Sequence, residues 1–248
     1  MHSGIEVILK AEQLGTLFGL PITNSLIMTW IVGAILIIGA YFIGRSFSLK
    51  PNKLQAGLEW IFSSATDYVA ELLESETLAR RLMPLLTTVF LFILLSNELE
   101  FSPGIGSLGL MREGVFMPLL RAPTSDLNTT LALAVIVVIV IEMTGVLTLG
   151  VLKYGKKYLN FSSPIGFAAG LIELVSNLGR LISFSFRLFG NIFAGEVMVA
   201  VAGYFLPYVL PAPLMGFEMF IGVIQALVFV MLTLFFVKLS IMEPHEAH

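Results

Sequence analysis

Long uncharged runs alternate with short clusters of charge along this chain, and their spacing predicts the architecture. Residues 22–44 carry no charge. At about 1.5 Å per residue, such a helix crosses a hydrocarbon layer about 30 Å thick. Residues 51–75 show a different pattern. Pro51 suits a helix start, and Leu54, Leu58, Ile61, Phe62, Ala65, Val69, Leu72 and Leu73 recur near helical spacing. Glu59, Asp67, Glu71 and Glu74 interrupt them, so the segment reads as an amphipathic helix at the membrane surface. An ordinary solvated helix between two spans is the alternative. Runs over 82–100 and 127–152 supply a second and a third span, joined by a Gly- and Pro-rich loop from Glu98 to Asp126. The stretch 164–206 is apolar but contains Glu173, Arg180, Arg187 and Glu196. Pro207, Pro211 and Pro213 mark a turn, and a last helix is expected over 214–240. A polar tail, Glu243 to His248, closes the chain. These elements predict one membrane domain over 1–248. The fold class is all-α integral membrane: five spanning helices plus one amphipathic surface helix. The last two spans form a long, steeply tilted antiparallel hairpin.

Composition agrees with this reading. Hydrophobic residues make up 57% of the chain and charged ones 12%, where soluble domains carry about 25% charged residues. The net charge of -3 argues against nucleic acid as a partner. Without cysteine there is no disulfide or thiolate chemistry. His2, His245 and His248 lie at the chain ends and none has metal-ligand spacing, so neither a metal nor another cofactor is expected. No cleavable signal is evident, because Glu6, Lys10 and Glu12 interrupt the first apolar runs. The first span then serves as its own insertion signal. Arg45, Lys50, Lys53, Arg80 and Arg81 cluster in one loop and Lys153, Lys156 and Lys157 in another, while Arg112 and Arg121 stand between them. Basic loops stay cytoplasmic, which predicts an outside N-terminus and a cytoplasmic C-terminus.

The fourth span carries the candidate chemistry. A charge at the centre of a spanning helix costs about 2.5–3.5 kcal/mol on the insertion scale, so four charges in one segment point to an ion pathway. Glu173, Ser176, Arg180, Ser183, Arg187 and Asn191 are spaced by three or four residues. They fall toward one helix face as a ladder about 27 Å long. Glu196 points to about the opposite side. The whole segment would be about 64 Å long, twice the hydrocarbon thickness, so it must tilt, bend or extend outside. Folding the last helix back through a turn near 206–207 sets Arg187 near Gln225 and Glu196 near Glu218. The same register suggests that Leu188 and Leu227 are close.

SFSFRLFGNIFAGE, from Ser183 to Glu196, resembles the signature of subunit a of the F-type ATP synthase. GVIQALVFVMLT, from Gly222 to Thr233, is similar to the last helix of that family, and APTSDLNTTLALA, from Ala122 to Ala134, to the opening of an earlier span. The resemblance implies a stator subunit beside a ring of small hairpin subunits, the c-ring, each bearing a membrane carboxylate. It also implies peripheral-stalk b subunits and two offset proton half-channels. Arg187 matches the family's essential arginine between those channels. Asn191, Glu196 and Gln225 carry over as polar residues near the pathway. Glu218 occupies a position where some members have histidine, so here two acids would share the relay. Glu173 and Ser176 lie on the ladder toward the basic loops and are candidates for the cytoplasmic half-channel, and Ser183 is a further candidate residue of the proton pathway. Arg180 reads as structural or interfacial. Glu142 reads either as a channel residue or as an end-of-span acid. A secondary transporter is disfavoured by the lack of an internal repeat. A membrane hydrolase is disfavoured because no span contains histidine or cysteine.

Overall fold

The structure is a computed structural model that describes residues 11–17, 19–102, 109–112, 115–158, 164–207 and 209–242. His2, His245, His248, part of the Gly- and Pro-rich loop and the polar tail lie outside the described residues. Among the described residues, five helices are long and apolar enough to cross a membrane: α1 (Asn24–Ser46), α3 (Glu76–Glu100), α4 (Leu127–Leu149), α6 (Pro164–Phe205) and α7 (Pro211–Ile241). Two shorter helices complete the bundle, α2 (Lys53–Leu73) and α5 (Val151–Tyr158). The chain is therefore an α-helical integral membrane protein.

Polar side chains at the helix starts set most of the boundaries. Thr23 Oγ1 accepts from Leu26 N at 3.2 Å, Asn52 Oδ1 from Gln55 N at 2.7 Å, Ser75 Oγ from Leu78 N at 3.3 Å and Asp126 Oδ1 from Asn128 N at 2.9 Å. Each satisfies an amide that the first helical turn leaves open. The Ser75 cap starts α3 at Glu76, earlier than the hydrophobic run alone suggests, because Arg80 and Arg81 occupy its first turns. At the other end, Gly150 adopts φ 84, a left-handed value that L side chains resist. It stops α4 at Leu149, so Val151 and Leu152 belong to α5 rather than to the third span. Pro211 and Pro213 lie in the first turn of α7 rather than before it, a position where proline's missing amide costs nothing.

Two short hairpins supplement the helices. β1 (Gln13–Leu17) pairs antiparallel with β2 (Leu20–Thr23), and β3 (Gly109–Arg112) pairs with β4 (Val115–Pro118). Neither was expected from the sequence, since both are too short to show a strand pattern beside the dominant apolar runs.

The core is shared by α3, α4, α6 and α7. Leu82, Leu86, Val89 and Ile93 of α3 meet Ala134, Val137 and Ile141 of α4, Phe184 and Leu188 of α6, and Ala226, Phe229, Leu234 and Val237 of α7. Helix α2 adds Val69 and Leu73 and leaves Leu54, Trp60 and Ile61 exposed. Only the beginning of α1 is buried, at Asn24, Ser25, Met28 and Val32, and its remaining turns face outward. Outward-facing apolar residues are ordinary here, because lipid is as apolar as the core and packing plus polar contacts hold the helices together.

Helices α6 and α7 form an antiparallel hairpin. The Phe184 and Phe229 ring centroids lie 4.8 Å apart, and Pro211 Cγ lies 3.7 Å from where a Cβ on Gly203 would sit. At 42 residues, α6 is about 63 Å long, so it must tilt or project beyond a 30 Å layer. Leu188 is fully buried while Leu227 is 54% exposed, so they face different directions, contrary to the pairing suggested by register alone. In this cysteine-free chain, a cysteine pair at Gly203 and Pro211 is expected to oxidise to an intrachain disulfide on a gel-shift assay, and a pair at Leu188 and Leu227 is not. The opposite pattern would refute this hairpin.

Candidate functional site: a polar seam across the helical hairpin

The polar ladder of α6 divides between two faces. Arg187, Ser183 and Ser176 are exposed, and the Arg187 Nη2 donates to Ser183 Oγ at 3.3 Å. Ile182 and Phe186 flank Arg187 and are likewise exposed. Among the described residues no carboxylate forms an ion pair with Arg187. Glu173 and Arg180, by contrast, turn inward. Their angular offset from Ser176, Ser183 and Arg187 reaches several tens of degrees, because steps of three and four residues drift around a helix of 3.6 residues per turn.

The inward residues form a second cluster. Glu173 Oε1 lies 2.8 Å from Arg180 Nη2 and 3.1 Å from Lys157 Nζ, and the Arg180 guanidinium stands 5.0 Å from the Phe236 ring centroid. Glu142 Oε2 accepts from the Tyr154 hydroxyl at 2.7 Å and the Tyr158 hydroxyl at 2.6 Å, and its Oε1 accepts from Asn177 Nδ2 at 3.0 Å. Burial holds the Tyr158 hydroxyl up at about 12 and pushes that of Tyr154 up as well, so both remain donors. The backbone of Tyr158 rests against Gly170 and the Tyr154 ring against Gly145, sites where any side chain would collide. Helix α5 is thereby strapped to α4 and α6. Of the residues expected on this side, Glu173 is satisfied by two cations and Ser176 faces outward. Glu142 is neither free nor snorkelling.

Across the hairpin, Gln225 is 8% exposed and its Nε2 has no partner within the chain. The register sets it level with Arg187. Asn191 Nδ2 and Glu196 Oε1 are also buried without a partner. Glu218 is 5% exposed, and its Oε2 lies 2.5 Å from where a Cβ on Gly195 would sit. The missing side chain at Gly195 makes room for this acid. The fold thus brings Glu218 beside the residue preceding Glu196.

The end of the bundle near Asp126 contributes groups that the sequence reading did not single out. Arg121 Nη2 lies 3.2 Å from Glu196 Oε2, with only 10% and 18% of the two side chains exposed. Its Nε donates to Ser125 Oγ at 2.9 Å. The Glu100 carboxyl lies against that of Glu196, and its Oε2 accepts from Ala122 N at 2.6 Å. Asn97 donates to the Gly222 carbonyl at 3.2 Å and accepts from Thr124 at 2.9 Å. Ser25 donates to Asp126 at 2.7 Å, which ties the start of α1 to the start of α4. Glu98 and Glu100, two acids at the end of an apolar run, were the available sequence signal. Arg121 gave none, since it lies in a loop. Chemically, the arrangement is a file of buried carboxyls and amides with unmet hydrogen-bonding capacity. Its members lie between the Asp126 end of the bundle and the level of the outward-facing Arg187.

Comparison with known proteins gives this geometry a context. A family profile described as ATP synthase A chain matches residues 26–238. The chain is 32% identical over 218 residues to ATP synthase subunit a of Moorella thermoacetica, covering 88% of this chain and 90% of that one. It is 37% identical over 226 residues to ATP synthase subunit a of Gloeobacter violaceus, covering 91% and 86%. It is 33% identical over 235 residues to the sodium ion specific ATP synthase subunit a of Propionigenium modestum, covering 93% and 78%.

Proposed function

The chain belongs to the ATP synthase A chain family, and from that premise we propose that it is the non-catalytic stator subunit of the rotary motor. It forms two offset proton half-channels beside the rotating c-ring and couples proton flow to rotation and ATP synthesis. The observation that carries this reading is Arg187, a guanidinium partway along a spanning helix, on an outward face, with no acid paired to it among the described residues. Such a charge is too costly to leave to lipid, so a partner's carboxylate must meet it. Arginine suits the task. It stays protonated, so it cannot pass on the proton it separates, and a nearby positive charge favours release of a proton from a carboxyl by about 1–3 pKa units.

The half-channel from the outside runs through Glu100, Glu196, Asn191, Glu218 and Gln225. Ser183, Ser176 and Glu173 serve the cytoplasmic one. The membrane potential supplies about 2.3 kcal/mol per proton per 100 mV, with the pH difference added. Glu196 and Glu218 in this reading are separate stations, since Glu100 and not Glu218 lies against Glu196. The partners are the c-ring, peripheral-stalk b subunits and the lipid bilayer. By the rule that basic loops stay inside, the lysine-bearing end of α5 is taken as cytoplasmic, with the N-terminus outside and the C-terminus inside, in an energy-coupling membrane taken as the bacterial inner membrane.

Purification of the tagged chain under mild detergent is expected to bring with it a ring of small subunits bearing membrane carboxylates. The complex reconstituted into vesicles should make ATP under an imposed pH difference and potential. Recovery without any such ring, from membranes in which the chain is native, would overturn the proposal. ATP synthesis that requires a sodium gradient instead would replace the proton with sodium.

A further inference from the structure

We propose that Glu98 of α3 is a proton-carrying carboxyl that bridges Glu218 and Gln225 within the outer half-channel. This inference rests on the function proposed above and adds a station to it. Glu98 and Glu100 are two residues apart on one helix, so their side chains diverge by about 200°. Glu100 enters the seam with Ala122 and Glu196. Glu98 enters the other seam, against α7, where its Oε1 lies 3.5 Å from the position a Cβ on Gly222 would take. Gly222 has no side chain to fill that space, and a Cβ there would also sit 3.0 Å from Asn97 Cβ.

The position along α7 gives Glu98 its role. Glu218, Gly222 and Gln225 are all buried on one face of that helix. Glu218 and Gln225 are seven residues apart, about 10 Å along the axis, which is far beyond the reach of one hydrogen bond. Gly222 divides that interval into steps of about 5 Å. Glu98 is the titratable group that faces the division. Its Oε1 is buried without a partner within the chain, and among the described residues no cation forms an ion pair with it. Gln225, more than nine-tenths buried with an unpartnered Nε2, stands one turn further on the same face. Asn97 of α3, which donates to the Gly222 carbonyl, and Thr124, which donates to Asn97, are polar groups hydrogen-bonded at this seam.

The step is a simple relay. Glu218 releases its proton to the Glu98 carboxylate through water, becoming a carboxylate. Glu98 then passes the proton on toward the level of Gln225 and Arg187 and returns to its charged form. No bond other than O–H forms or breaks, and nothing is oxidised or reduced.

Glu98→Gln removes only the capacity to carry a proton, because the amide has nearly the same shape and keeps hydrogen-bonding ability. The complex carrying it is expected to assemble with its ring and to show proton-driven ATP synthesis and passive proton flow reduced at least about tenfold per complex. Glu98→Asp should recover most of both rates. Rates are normalised to co-purified ring, so a lower yield does not mimic a lower rate. Parental rates in Glu98→Gln, or an equal loss in Glu98→Asp, would overturn the proposal. Arg187→Ala measured in parallel separates the two levels. If it too runs normally, the proton-channel function itself is wrong. If it is dead while Glu98→Gln runs normally, only the role of Glu98 is.

Discussion

Arg187→Ala is expected to abolish proton-driven ATP synthesis while the chain still inserts and assembles with its ring. The guanidinium lies on the outward face of α6, and among the described residues it donates to the Ser183 hydroxyl at 3.3 Å. The core beneath it is built from Phe184 and Leu188, which are fully or almost fully buried and do not depend on it. Removing the charge therefore costs little of the packing and, under the function proposed above, takes away the electrostatic barrier between the two half-channels. Protons should then leak or stall rather than drive rotation. Arg187→Lys should fail nearly as badly, since a desolvated lysine can lose its proton and so join the relay it is meant to interrupt. Measurement of synthesis in vesicles under an imposed pH difference decides the matter, with ring co-purification as the control for assembly. Synthesis at the parental rate in Arg187→Ala would remove this residue from the mechanism.

The second large effect is expected at Arg121. This cation is buried with Glu196, and Glu100 lies against the same carboxyl. Arg121→Leu leaves two acids facing one another without their counter-charge, and removing one partner of a buried ion pair costs about 3–5 kcal/mol. The purified complex should melt at a lower temperature and conduct protons slowly. Adding Glu196→Gln to Arg121→Leu should restore much of the stability, because one of the uncompensated charges is then gone. A double-mutant cycle read by thermal unfolding tests this. Strictly additive losses would mean that the two side chains do not act as a pair. Stability and flux should separate in the double variant: the bundle recovers, while the carboxyl that the proposed function assigns to the outer half-channel is lost.

Much of the fold could be read from the chain because the signals are local. An uncharged run long enough to cross the bilayer marks a span wherever it occurs, whereas the caps at Thr23, Ser75 and Asp126 are evident only from their hydrogen bonds in the structure. Register across the last hairpin was also accessible, since a proline-marked turn fixes which positions of α6 and α7 stand level. Gly203 against Pro211, Gly195 against Glu218 and Phe184 against Phe229 all follow that register. Helix α5 was not legible, because an apolar run says nothing of the left-handed Gly150 that folds it back.

What the sequence by itself determined is therefore one-dimensional: five spans in their order, a membrane as solvent, and a cation at residue 187 with polar residues at helical spacing around it. Tertiary structure decided which of those residues meet. It turned Glu173 and Arg180 inward while leaving Ser176, Ser183 and Arg187 outside, and it brought Glu100 of α3 and Arg121 of a loop to Glu196, Glu98 to Gly222 and Glu218 to Gly195. The reason is physical. Periodicity orients a side chain on its own helix, but in a bilayer the lipid-facing and the buried surfaces are equally apolar. Hydrophobicity then cannot say which face packs, and glycine notches and interhelical polar contacts between distant segments settle it.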